Sequence, residues 1–112
     1  MEISQKNIVP QTVESTAIEA SRVMTNKPCI VYEVRGYNSG AEQFILLFDS
    51  KTLPAEGTVA NEVVKAGADN NWFITFPKGK LFEHGLTVCN SSTAPTKTIG
   101  GEDCFFVGEF VT

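Results

Sequence analysis

One histidine, three cysteines and a scatter of carboxylates are the residues of this chain that could do nucleophilic or acid–base chemistry. His84 sits in Glu83-His84-Gly85, a turn signal. Its candidate nucleophiles are Cys29, Cys89 and Cys104. A Cys–His pair works only within hydrogen-bond reach, and nothing in the spacing demands it. No CxxC, HxH or HExxH pattern occurs, so no zinc ligand set is recognisable. Asp49, Glu56, Asp69, Glu83, Glu102 and Asp103 each fall in or beside a turn. There a carboxylate more often bonds backbone than shares in paired acid–base work. Asp69-Asn70-Asn71 lacks the spaced oxygens and closing glutamate of an EF-hand loop. Gly100-Gly101 is not followed by a phosphate-cradling Gly-Lys-Ser/Thr. The expectation is a chain that is not an enzyme, with no catalytic residues, no cofactor and no metal.

The cysteine count is odd and low, unlike a disulfide scaffold. The thiols read as reduced, small apolar residues of a protein made in a cytoplasm, with one Cys89–Cys104 bridge as the alternative. Met1 to Asn7 has neither a basic stretch nor an apolar one, so no secretory signal is expected. Without one, the glycosylation sequon Asn90-Ser91-Ser92 reads as chance.

The elements that must hold these residues read as strands. Cys29 to Tyr37 alternates, with Ile30, Tyr32 and Val34 on one face and Glu33 and Arg35 on the other. Asn38-Ser39-Gly40-Ala41 is a turn. Gln43 to Asp49 carries bulk on both faces, so it is expected to be central or covered by a partner chain. Asp49 to Gly57 reads as a loop, Thr58 to Ala66 as a weak strand, and Asn71 to Phe76 as a strand with Trp72, Ile74 and Phe76 on one side. Pro77-Lys78-Gly79-Lys80 is expected to break it. Leu86 to Asn90 and Cys104 to Val111 complete the set. In the last, Phe106 and Phe110 share one face, and Phe105 and Val107 the other. Residues 1–28 read as an N-terminal arm with room for a first strand, and 29–112 as the sandwich.

Short strands with turn signals every eight to twelve residues predict an all-β, antiparallel β-sandwich of jelly-roll or immunoglobulin-like type, about seven to eight strands. At 112 residues the chain fits one domain and one core. A formal charge of −4 argues against a nucleic-acid face. No apolar run approaches the ~20 residues that cross a bilayer, so no membrane partner is expected. The Ser91–Asp103 segment is longer than a hairpin needs, which suits a contact surface. Its candidate contact residues are Asn90, Ser91, Ser92, Thr93, Thr96, Lys97 and Thr98. Ile45, Leu47, Phe105 and Val107 are the candidate subunit-interface face. Trp72, Tyr32 and Tyr37 could make a sugar platform, although Trp72 shares its parity with Ile74 and Phe76 and so reads as core.

The run from Leu86 to Phe106, with Val31 to Asn38 and Phe44 to Ser50 upstream, resembles a group of small tailed-bacteriophage virion proteins. The shared pattern is a strand ending in Asn, an aromatic-rich strand ending in Asp and a loop with Pro and Gly. A Gly–Leu/Ile–x–Val strand, a polar Ser/Thr loop and a closing strand follow. It covers about residues 20–110, and Asn90 to Cys104 is its most specific part. The resemblance implies a head decoration (cement) protein, or a small neck or tail component, located in the virion after assembly in the host cytoplasm. It carries no catalytic residues over. The implied partners are the major capsid protein or other virion proteins and the chain itself. A cyclic homo-oligomer is expected, a trimer favoured. The alternative is a carbohydrate-binding or adhesin module of a host-recognition apparatus.

Overall fold

The computed structural model describes residues 9–112. The strands are β1 (Gln11–Glu14), β2 (Ser21–Thr25), β3 (Cys29–Asn38), β4 (Gln43–Phe48), β5 (Glu62–Ala66), β6 (Asn70–Phe82), β7 (Leu86–Ser91) and β8 (Cys104–Val111). They form two four-stranded sheets, ordered β1-β8-β3-β6 and β2-β7-β4-β5. Every pairing is antiparallel. The chain is an all-β sandwich.

The sandwich begins at Gln11 rather than Cys29. β1 pairs with β8 in one sheet and β2 with β7 in the other. The segment between them crosses from sheet to sheet and is stitched to β8. The Ser15 N–H donates to the Phe106 carbonyl at 2.8 Å, and the Phe106 N–H donates to Ser15 Oγ at 3.0 Å. Glu19 and Cys104 exchange backbone bonds at 2.8 and 3.1 Å. The polar, β-branched composition of 11–25 hides this role because each strand is short and covers one edge. The expected N-terminal arm falls partly on residues 1–8, outside the described residues.

The core lies between the sheets. Val31, Val34, Trp72, Phe82, Phe106 and Phe110 come from one side, and Met24, Ile45, Leu47, Leu86 and Val88 from the other. At its centre Gly36 of β3 is flanked in register by Trp72 of β6 and Phe106 of β8. Having no side chain, Gly36 lets the two rings meet edge to face, with centroids 5.9 Å apart. A Cβ there would lie 2.6 Å from the indole and 1.8 Å from the Phe105 carbonyl oxygen.

Two strand expectations change. Along β3 the inward residues are Val31 and Val34, while Ile30 is 38% exposed. A bulge between Val31 and Glu33 breaks the alternation, so the period-two reading from Ile30 puts the wrong residues inside. The same irregularity explains Pro77. β6 continues through it to Phe82, with Thr75 opposite Glu33 and Lys80 opposite Val31. Phe76 to Gly79 therefore loop out opposite Tyr32. An edge strand tolerates Pro because no neighbour needs its N–H, and Gly79 takes the left-handed φ of +79° that the bulge requires. β5 starts at Glu62, later than the expected Thr58, because Thr58 and Ala60 bond instead to the 95–97 segment.

Removing the central ring or filling the central gap should each be costly. Phe106→Ala is expected to lower unfolding free energy by about 3–5 kcal/mol through the cavity it leaves. Gly36→Ala should lose at least about 1–3 kcal/mol through overpacking. Urea unfolding followed by Trp72 fluorescence measures both.

Candidate functional site

His84 and Asp49 do meet, at one pole of the sandwich. His84 Nδ1 lies 3.3 Å from Asp49 Oδ1, on a ring that is 67% exposed. The carboxylate also accepts the Glu83 N–H at 2.9 Å and the His84 N–H at 2.7 Å. Asp49 thus clamps the β6–β7 turn onto the end of β4. Burial pushes its pKa up, but the backbone bonds from Glu83 and His84 and the nearby ring outweigh that and hold it below the ordinary 3.8.

No thiol completes this pair. All three cysteines are free and buried. Burial pushes Cys29 and Cys89 up to about 11, with the Asp49 charge adding to the effect on Cys29. Burial also pushes Cys104 up to about 12. Such thiols stay protonated at neutral pH and make poor nucleophiles. Among the described residues, no group of three His, Cys, Asp or Glu side chains could hold a metal ion.

The serine- and threonine-bearing segment after β7 is folded on itself. Ser91 Oγ donates to the Thr93 carbonyl at 2.6 Å and accepts the Thr93 and Thr98 N–H groups at 3.2 and 2.9 Å. Thr93 Oγ1 donates to the Thr96 carbonyl and sits 2.6 Å from Thr98 Oγ1. The Lys97 backbone bonds to Thr58 and Gly57. Of the seven expected contact residues, Asn90, Ser91 and Lys97 are buried, and Thr98 is half-buried. Only Ser92, Thr93 and Thr96 are exposed. Asn90 belongs to a polar plug at the opposite pole. Its Nδ2 donates to the Gly101 carbonyl at 2.8 Å and to Asp103 Oδ1 at 2.7 Å. Gln43 Nε2 donates to the same Asp103 oxygen and to Asn38 Oδ1, at 2.9 and 2.8 Å.

The expected subunit-interface face also divides. Ile45 and Leu47 are fully buried between the sheets, so they cannot touch a second chain. The opposite face of β4 carries Phe44, Leu46 and Phe48, and it too is covered. Ala60 and Ala94, from the two long loops of this same chain, pack over it with Cys89. Bulk on both faces of β4 therefore records a roof made by its own loops rather than by a partner chain.

Phe105 and Val107 lie on the other sheet, whose outer face has no such roof. Register places Phe105, Tyr37 and Asn71 in one row across it, and Glu14, Val107, Arg35 and Phe73 in the next. Thr12, Glu109, Glu33 and Thr75 follow. Beyond the bulge, Val111, Ile30 and Leu81 form an aliphatic row. Phe73 is 65% exposed and Leu81 59%. The aromatic end forms a shallow groove of about 370 Å³ over Tyr37, Phe73, Phe105 and Val107. Arg35 donates to Glu109 at 2.6 Å and to Glu33 at 3.0 Å. The Glu109 hydrogen bond, helped by the charges of both glutamates, raises its pKa and keeps it firmly charged. Tyr37 donates its hydroxyl to Asp69, which raises the phenol pKa. Glu14, Glu33, Glu109 and Asp69 outnumber the single arginine, so the face is acidic.

Sequence reasoning placed Phe105 and Val107 on this face, where Phe105 is half-buried and Val107 buried at 8% exposure, and it missed the exposed Phe73, Ile30 and Leu81. Phe73 carries a readable signal: it is an aromatic out of phase with Trp72, Ile74 and Phe76. Ile30 and Leu81 carry none, because the bulge that turns them outward is a tertiary feature. Comparison with known family models, curated proteins and solved structures finds no match to this chain, so geometry carries the functional reading.

Two measurements check the pole and the thiols. A carboxylate with a depressed folded pKa stabilises above its ordinary value, and that contribution is lost as pH falls through the folded one. Asp49→Asn should therefore lower the melting temperature at pH 7, and the gap from the parent should narrow below about pH 4. The raised thiol pKa values act the other way: their contribution is complete below 9.0 and is lost as pH rises towards 11. At pH 8 a thiol reagent should leave the native protein unlabelled and modify all three cysteines in denaturant.

Proposed function

We propose that this chain is a structural subunit of a tailed-phage particle, a decoration or cement protein that binds through the bare outer face of the β1-β8-β3-β6 sheet. The observation that carries the reading is the contrast between the two outer faces. One is roofed by the chain's own loops, which themselves leave Leu53, Val59 and Ile99 exposed. The other leaves Phe73, Leu81 and Ile30 in solvent around an acidic belt. The long loops spend much of their hydrogen bonding on themselves, which favours the sheet as the contact surface. A rigid sheet face loses little conformational entropy on docking, and repetition over a symmetric shell multiplies weak contacts by avidity. The resemblance of residues 20–110 to small phage virion proteins supports the same reading. A sugar-binding module is less well supported, because Trp72, its best stacking residue, is 3% exposed and packs in the core.

Sedimentation of the purified protein with heads of the phage that encodes it tests this proposal. The protein should travel with the particles in repeated copies. Phe105→Lys, with its circular dichroism spectrum unchanged, should weaken binding at least about tenfold, equivalent to about 1.4 kcal/mol. Protein that stays at the top of the gradient overturns the assignment.

A further inference from the structure

β6 is an edge strand, and its two halves are unlike. The second half carries the usual defences of an exposed edge: Pro77, Lys78 and Lys80, and a bulge that turns the backbone aside. Lys80 also pairs with Glu62 of β5, closing that corner of the sandwich. The first half, Asn70 to Phe76, has no proline and no charged residue, and its register with β3 is unbroken as far as Thr75. It is rich in β-branched and aromatic residues, and Phe73 stands 65% exposed at its middle.

The backbone of this half lacks a second strand. Among the described residues, β6 pairs only with β3. The Asn71 N–H, with no strand to receive it, turns to its neighbour's Asn70 Oδ1 at 2.8 Å. Strand groups alternate in direction, so Phe73 and Thr75 aim their N–H and C=O groups the same way as Asn71, off the sheet. Nature guards such a row because another strand can add to it.

We propose that two copies of this chain pair through residues 70–76 of β6, antiparallel about a two-fold axis at Phe73, joining their sheets into one of eight strands. The register follows from the boundaries. The turn at Asp69, with its positive φ of 50°, closes one end of the free segment and Pro77 closes the other, leaving Phe73 at the midpoint. Phe73 then faces Phe73 of the second copy, and Asn71 faces Thr75, so the outward-directed groups meet each other. On the inner side Trp72 lies beside Ile74, and the apolar faces run on from one copy to the next. An aromatic pair directly across two strands is among the favourable cross-strand pairs.

Charge selects a second copy at this edge and excludes one on the sheet face. A two-fold contact brings a surface against itself. Across the face that would set Glu14, Glu33, Glu109 and Asp69 against the same four carboxylates, with one arginine on each side. Along 70–76 there is no ionisable group, so chains of net charge −4 can meet there without opposing charges in contact. A trimer built on Ile45 and Leu47 is ruled out by their burial in the core. The edge pair leaves the outer face open, so self-association and particle binding use different surfaces.

Sedimentation equilibrium on the full chain tests this inference without any particle, so its failure and that of the particle assignment are separable. A contact smaller than the standard ~800 Å² per partner should be weak, with a monomer–dimer equilibrium visible between about 5 and about 500 µM. Phe73→Lys, at an exposed position, should leave the chain monomeric by setting two like charges across the axis. Phe105→Lys, on the face two strands away, should still dimerise. Hydrogen exchange should show the Phe73 and Thr75 amides gaining protection as concentration rises. A monomer throughout the range overturns the inference. So does a trimer, loss of association with Phe105→Lys but not Phe73→Lys, or exchange at Phe73 and Thr75 independent of concentration.

Discussion

The meeting of Trp72 and Phe106 above Gly36 is the contact on which the rest of the sandwich depends. Those rings come from the strands on either side of β3, and they can touch only because β3 offers no side chain between them. Their contact ties the edge strand β6 to the central strand β8, and the pair faces Ile45, Leu47 and Val88 of the second sheet. Dispersion and apolar burial at these rings add to the cohesion of the core the two sheets share.

The two outer faces show how a small sandwich divides its surface. One needs covering, because Phe44, Leu46 and Phe48 line it. The chain supplies that cover from residues 49–61 and 91–99, held by backbone bonds between Ala60 and Pro95 and between Lys97 and Thr58. Serine and threonine hydroxyls satisfy the backbone inside this cover, where an unpaired polar group would be costly. The other face carries a neutralised arginine between carboxylates, with apolar rows on both sides. Hydrogen bonding is thus turned inward in the roof, while the bare sheet presents its side chains directly to solvent.

The same economy holds at the poles. Asp49 uses its lone pairs on the turn before β7. Asp103 draws together side chains from β4 and β7. Asp49 and Asp103 therefore each tie a pole of the sandwich together. The N–H donors around Asp49 hold that carboxylate ionised and oriented, and burial holds the three thiols neutral.

Local pattern was enough to determine the fold class, the positions of β3, β4, β7 and β8, and the inward parity of Trp72, Ile74 and Phe76. Alternation and turn chemistry are properties of neighbouring residues, and they survive being read one segment at a time. Tertiary structure alone decided which side of each two-sided strand met the other sheet and which met a loop. It also decided that Ser91 and Lys97 turn inward and that Pro77 lies within a strand. Those outcomes depend on residues far apart in the chain: Tyr32 opposite the 76–79 bulge, Lys97 beside Gly57, Ser15 against Phe106. A one-residue shift in strand register exchanges buried and exposed faces, so only the assembled sheets could tell Ile30 from Val31.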